Sequence, residues 1–185
     1  MPQADRDKWD ARYAGSEEGP GPAPAWLAAV DALLPCEGRA LDVASGTGRL
    51  ARWAHRRGLS VTAVDISPVG LRRLKAELPD VETIERDLEL DPTLPAGPYA
   101  LITCFRYRQP ALWPAMIAAL APGGVLVAEV VTVANLERSS HPSRRWLAEP
   151  GELRELATGL ALDHYEEGWV DGVCSARLVG RRSDR

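Results

Sequence analysis

Short apolar runs recur along the chain, and between them the apolar positions shift to helical spacing. A strand is predicted over 39–44, where Ala40, Leu41 and Val43 precede a turn made of Ser45, Gly46, Thr47 and Gly48. A helix is predicted over 49–57, stopped by Gly58, and a second strand over 60–65. Ser67-Pro68 places a capping hydroxyl ahead of proline at a first helical position, so the next helix runs to Leu78. Further strands are predicted over 81–86, 99–105 and 125–131. A helix beginning at Pro110 precedes the last of these and halts at Pro122-Gly123-Gly124. After a polar loop over 132–149, Pro150 opens a helix through Thr158, and two strand-like runs follow at 160–169 and 173–182. At the other end, 1–14 reads as a short amphipathic helix and 15–24 as a Gly/Pro-rich connector. A helix is predicted from Pro24 through AWLAAVDALL to the break at Pro35.

Alternation of strand and helix through five strands implies a parallel sheet with helices on both faces and right-handed crossovers. The last two strands are separated by only Val170, Asp171 and Gly172. Parallel pairing needs a long crossover, so these two form an antiparallel hairpin. The expected fold is α/β, a Rossmann-like doubly wound sheet of seven strands, mostly parallel.

Composition narrows the function classes. The 185 residues, 45% hydrophobic and 26% charged, suffice for one domain over 1–185 with a full core. A formal charge of −4 argues against nucleic acid as the main partner. The polar start MPQADRDKWDARY is unlike a secretory leader, and no apolar run approaches a membrane span, so the expected location is cytoplasmic. Cys36, Cys104 and Cys174 are too widely spaced for a metal site or a disulfide framework, and no metal is expected.

The candidate chemistry starts at the glycine turn. Glycines allow close backbone approach to a ligand, and a helix N-terminus behind them attracts negative or lone-pair-bearing groups. Seventeen residues beyond Gly48, the next strand ends in Asp65, an acid placed to hydrogen-bond ribose hydroxyls. Together these point to an adenosine-type ligand at the C-terminal ends of parallel strands. Gly46, Gly48 and Ala51 also satisfy the GxGxxA pattern of nicotinamide-dependent oxidoreductases. Against that reading, Asp42 interrupts the first strand, and neither lysine (Lys8 or Lys75) lies four residues after a tyrosine.

Over nearly its whole length the chain resembles class I S-adenosylmethionine-dependent methyltransferases, through LDVASGTGRL (41–50), VTAVDIS (61–67), IERDLE (84–89), YALITCF (99–105) and LAPGGVLVAE (120–129). It is most similar to the TehB-like tellurite-resistance and thiopurine-methyltransferase-like group, through DKWDARY (7–13), EPGELREL (149–156) and HYEEGW (164–169). The resemblance implies S-adenosyl-L-methionine as cofactor. It further implies that Ala44, Ser45, Gly46 and Gly48 cradle the methionine part and that Asp42 lies near its amino group. Asp65 would hold the ribose and Ile66 flank the adenine, with Asp87 and the Leu88 backbone on the adenine edge. Cys104 and Phe105 would lie beside the sulfonium. Arg12, with Trp9 in a lid formed by the 1–24 segment, would pair with the cofactor carboxylate. Ser45 stands where many relatives have Cys or Gly, and Ala100 where relatives often have Asp. The acceptor-side candidates are Arg106, Tyr107, Arg108, His141 and Glu129, facing a small-molecule methyl acceptor. A non-catalytic cofactor-binding module is the alternative from a different class.

Overall fold

The strands are β1 (Arg39–Val43), β2 (Ser60–Asp65), β3 (Glu82–Glu85), β4 (Tyr99–Phe105), β5 (Leu120–Val131), β6 (Leu160–Val170) and β7 (Val173–Arg182). They form one sheet in the order β3-β2-β1-β4-β5-β7-β6, in a computed structural model that describes residues 2–15, 19, 21–140 and 142–183. The first five strands are mutually parallel, and β7 inserts antiparallel between β5 and β6. The expected hairpin is present with a two-residue turn, because Val170 pairs with Val173. Asp171 and Gly172 both have positive φ, the signature of a turn whose twist matches the flanking strands.

Period-two alternation sorts the strand residues onto two cores. Leu41, Val43, Ile102, Leu126 and Ala128 join one cluster, while Ala40, Ala63, Leu101, Val125 and Val127 join the other. The chain reverses its order of strand addition between β1 and β4. That reversal opens a crevice at their C-terminal ends, the position where open α/β sheets bind ligands.

The helices are α1 (Pro2–Ala14), α2 (Arg49–Arg56), α3 (Pro68–Glu77), α4 (Trp113–Ala119) and α5 (Glu152–Leu156). The helix expected over 24–34 is instead two short 3-10 turns, Ala25–Ala28 and Asp31–Leu33, separated by Ala29 and by Val30 at φ −110°. The apolar spacing was helical, and Leu27, Val30 and Leu34 are buried as that spacing requires. Trp26 anchors the segment across the sheet, stacked between Phe105 and His164 and donating through Nε1 to Glu129 at 2.5 Å. This tertiary anchoring overrides the local helical preference. Likewise β5 begins at Leu120, ahead of the expected Val125, since Leu120 already pairs with Tyr99 across an irregular register. Among the described residues, no helix is long and apolar enough to cross a membrane.

Candidate active site

At the end of β1 the chain turns sharply. Ala44 takes φ +54°, a left-handed conformation costing a non-glycine residue about 1 kcal/mol. The following amides point inward: Ser45 N–H donates to the Val64 carbonyl (3.0 Å), Gly46 N–H to Asp65 Oδ2 (2.7 Å) and Gly48 N–H to the Ser45 carbonyl (2.8 Å). The turn is therefore braced against β2. Those three amides are not open donors, a correction to the picture of a simple N–H cradle. Gly46, at φ +56°, lies under Tyr13, whose Oη would be 2.6 Å from any Cβ added there. Behind the turn, Gly70 of α3 approaches the Gly46 carbonyl so closely that an added Cβ would meet that oxygen at 2.6 Å.

The two acids brace neighbouring elements. Asp65 accepts from Gly46 N–H and, through Oδ1, from Ser67 N–H at 2.8 Å, tying the turn to the start of α3. Asp42 accepts from Thr103 Oγ1 (2.7 Å) on β4 and from the Ala51 N–H (2.9 Å), one of the orphan donors in the first turn of α2. Burial raises the pKa of both, and it pushes Asp42 up to about 7 against the pull of Thr103 and Ala51. The folded protein thus holds the Asp42 proton more tightly than the unfolded chain, whose carboxyl keeps the ordinary value of 3.8. The stability from this group is complete below that ordinary value and is lost as pH rises toward about 7. Chemical denaturation at mildly acidic and mildly alkaline pH should show stability falling across that window, and Asp42→Asn should flatten the fall.

Helix α1 closes over this end of the sheet. Its Asp10 accepts from Ser67 Oγ and from Val69 N–H (3.4 Å), so it caps the N-terminus of α3 together with Ser67, whose Oγ accepts from Gly70 N–H at 3.1 Å. Arg73 donates to the Tyr13 carbonyl. Ion pairs Arg6–Glu85 (2.8 Å) and Asp5–Arg145 (3.5 Å) join α1 to β3 and to the loop after β5.

Beneath α1 lies a cavity of about 770 Å³. From α1 it takes Trp9 and Arg12, and from the turn Ala44, Ser45 and Gly46 over Asp42. Asp65 and Ile66 line it at the end of β2, Asp87 and Leu88 after β3, and Phe105, Arg106 and Tyr107 after β4. The Ser45 hydroxyl on its wall is buried and has no hydrogen-bond partner among the described residues. Tyr107 donates to Glu89 at 2.9 Å, which links the loops after β4 and β3.

Four expected site residues stand outside the lining. Gly48, at φ +86°, packs against Leu74 and begins α2. Cys104 alternates with Phe105 and so falls on the opposite core face, donating to the Tyr107 carbonyl, with its thiol pKa pushed up to about 12 by burial. Arg108 makes a two-pronged pair with Glu152 (2.7 and 2.9 Å). Glu129 is 6% exposed, held by Trp26 and by Arg177 at 3.4 Å. His141 lies outside the described residues.

Residues 40–124, which contain this turn, both acids and β4, match the family described as methyltransferase domain. Over those residues the chain is similar to a methyltransferase domain. It is 31% identical over 149 residues to ribosomal protein L11 methyltransferases of Bordetella parapertussis and Bordetella bronchiseptica, a match covering 79% of this chain and 44% of each of theirs. The chain thus spans less than half the length of these curated relatives. Among solved structures it resembles an S-adenosylmethionine-dependent methyltransferase from Mesorhizobium loti, with TM-score 0.69 and 22% identity over 86% of this chain and 99% of that one. It also resembles a TehB-like S-adenosylmethionine-dependent methyltransferase from Corynebacterium glutamicum, with TM-score 0.70 and 18% identity over 98% and 100%. The fold is that of the S-adenosylmethionine-dependent methyltransferases.

Two residues that build this site, Asp10 and Gly70, carry little signal in the sequence. Asp10 looks like one more exposed acid on a terminal helix, and its role appears only once α1 meets α3. The signal for Gly70 is a single one: a glycine in the first turn of a helix, where alanine costs nothing locally, marks close approach by another backbone.

Proposed function

We propose that this chain transfers the methyl group of S-adenosylmethionine to a small-molecule acceptor. The observation that carries the reading is the roofed cavity between the braced glycine turn and α1, whose volume falls within the roughly 300–1,000 Å³ range of small-ligand sites. Its residues fit the cofactor. A carboxylate has about four lone-pair sites, so Asp65 retains capacity for ribose hydroxyls beside its two loop amides. The unpartnered Ser45 hydroxyl is a buried group that a polar ligand would satisfy. Asp87 accepts from Glu89 N–H through Oδ1, leaving Oδ2 toward an adenine amine, with Ile66 and Leu88 against the ring. Arg12, resting over Trp9, is the lid cation for the cofactor carboxylate.

When bound, S-adenosylmethionine supplies an electrophilic methyl group on a sulfonium, open to direct displacement by an acceptor lone pair. The protein's part is positional. The turn and α1 fix one reactant, Phe105 and Tyr107 wall the acceptor side, and the Asp5–Arg145 pair helps exclude water. The test is transfer from methyl-labelled S-adenosylmethionine to pooled small thiols, amines, hydroxy acids and chalcogen oxyanions, run beside ribosomal protein L11. Label in a small-molecule pool is the expected result. Label in the protein alone would contradict the small-molecule reading, and binding without any transfer would favour a non-catalytic module.

A further inference from the structure

The cavity's cations are unevenly satisfied. Arg86 donates to Thr93 Oγ1 at 2.6 Å and pairs with Asp91, Arg145 pairs with Asp5, and Lys8 and Arg12 rest over the Trp9 ring. Arg106 differs. It lines the cavity, its side chain is exposed, and among the described residues that side chain makes no hydrogen bond, ion pair or ring contact. Its backbone is nevertheless fixed in an unfavourable conformation, at φ +56°, by donation from its N–H to the Glu129 carbonyl at 2.7 Å. Strain of this kind in a cavity-lining residue points toward function.

Arg49 lines the same cavity from the first residue of α2. A cation there opposes the helix dipole, so its position is electrostatically poor unless something compensates it. One edge is anchored, since Nε donates to the Pro22 carbonyl at 2.6 Å. Burial lowers its pKa, and the charge of Arg106 lowers it further, so the two guanidiniums sense one another. The acid that opposes this is Glu129, already engaged by Trp26 and Arg177. Two guanidiniums facing one cavity, with no carboxylate paired to either among the described residues, make a site for an anion.

We propose that Arg49 and Arg106 form an anion subsite on the acceptor side of the cavity, so that the acceptor is a small organic anion bearing a carboxylate or phosphate. This deepens the methyl-transfer reading and rests on it for the word acceptor. The shared chemistry, an anionic oxygen pair, is also present in the cofactor's own carboxylate, and the experiment separates the two sources.

Benzoate, phenyl phosphate and the neutral benzamide are titrated calorimetrically into the protein, with and without saturating S-adenosylhomocysteine. Both anions should bind in the S-adenosylhomocysteine complex, and benzamide on the order of tenfold more weakly. Arg106→Gln and Arg49→Gln should each weaken benzoate by about tenfold, with Arg106→Lys restoring part, while S-adenosylhomocysteine affinity stays within about twofold. Because Arg106 is exposed, thermal unfolding of Arg106→Gln should match the parent. Equal binding of benzoate and benzamide would overturn the proposal, as would no binding of either anion or no effect of either variant. Loss of S-adenosylhomocysteine affinity with benzoate unaffected would assign the pair to the cofactor instead. If S-adenosylhomocysteine itself fails to bind, the methyl-transfer reading fails, and the titrations without it still decide whether the arginines hold anions.

Discussion

Asp65→Ala should lower stability by on the order of 2–5 kcal/mol and abolish binding of S-adenosylhomocysteine. The reasoning starts from two amides. Gly46 N–H and Ser67 N–H both donate to this one carboxylate, at 2.7 and 2.8 Å, in a residue only 5% exposed. Removing the acceptor leaves two donors unsatisfied, each costing about 1–3 kcal/mol where water cannot reach. Relief of the carboxylate's own desolvation, which raises its pKa, keeps the total below the full sum of the two. Asp65→Asn should do less damage to the fold, because its carbonyl still accepts one amide while its NH₂ confronts the other. The alanine variant loses all the lone pairs assigned to ribose, and the asparagine variant keeps one at most. Denaturant midpoints and calorimetry on the same samples separate the two effects.

Gly70→Ala is the second large effect, and it acts from outside the cavity. The added Cβ would lie 2.6 Å from the Gly46 carbonyl oxygen and 2.9 Å from its carbon. Both are backbone atoms, so no side-chain rotation relieves the contact, and α3 and the turn must separate. Overpacking of this kind costs about 1–3 kcal/mol. The displaced turn would also shift Tyr13, which packs on Gly46 and Gly70 together. S-adenosylhomocysteine affinity should fall by on the order of tenfold or more, since misplacement by about an ångström is costly in a positioned site. Gly168→Ala on β6 is the control, because no atom of the described residues lies within 4 Å of the Cβ it would add. Its stability should stay within about 0.5 kcal/mol of the parent.

The strands over 60–65 and 99–105 were legible to the residue, and so was the Ser67-Pro68 cap, because each depends on local chemistry alone. The position of the cavity was equally legible, since a glycine turn followed by a strand-ending acid can meet only at the reversal of strand order. What failed to show was pairing at a distance. Glu129 and Arg108 look like acceptor-side groups in sequence, yet Trp26, Arg177 and Glu152 claim them from elements far along the chain. Cys104 and Phe105 were both named for the cavity, although adjacent strand residues face opposite ways and only one of them can line it. Asp42 and Thr103 share the Phe105 side, so parity alone selects Phe105.

The most direct test of the account is a calorimetric titration of the intact protein with S-adenosylhomocysteine, followed by the same titration with NAD. A single saturable site is expected for the first, with no comparable heat for the second. Binding of NAD with no response to S-adenosylhomocysteine would contradict it.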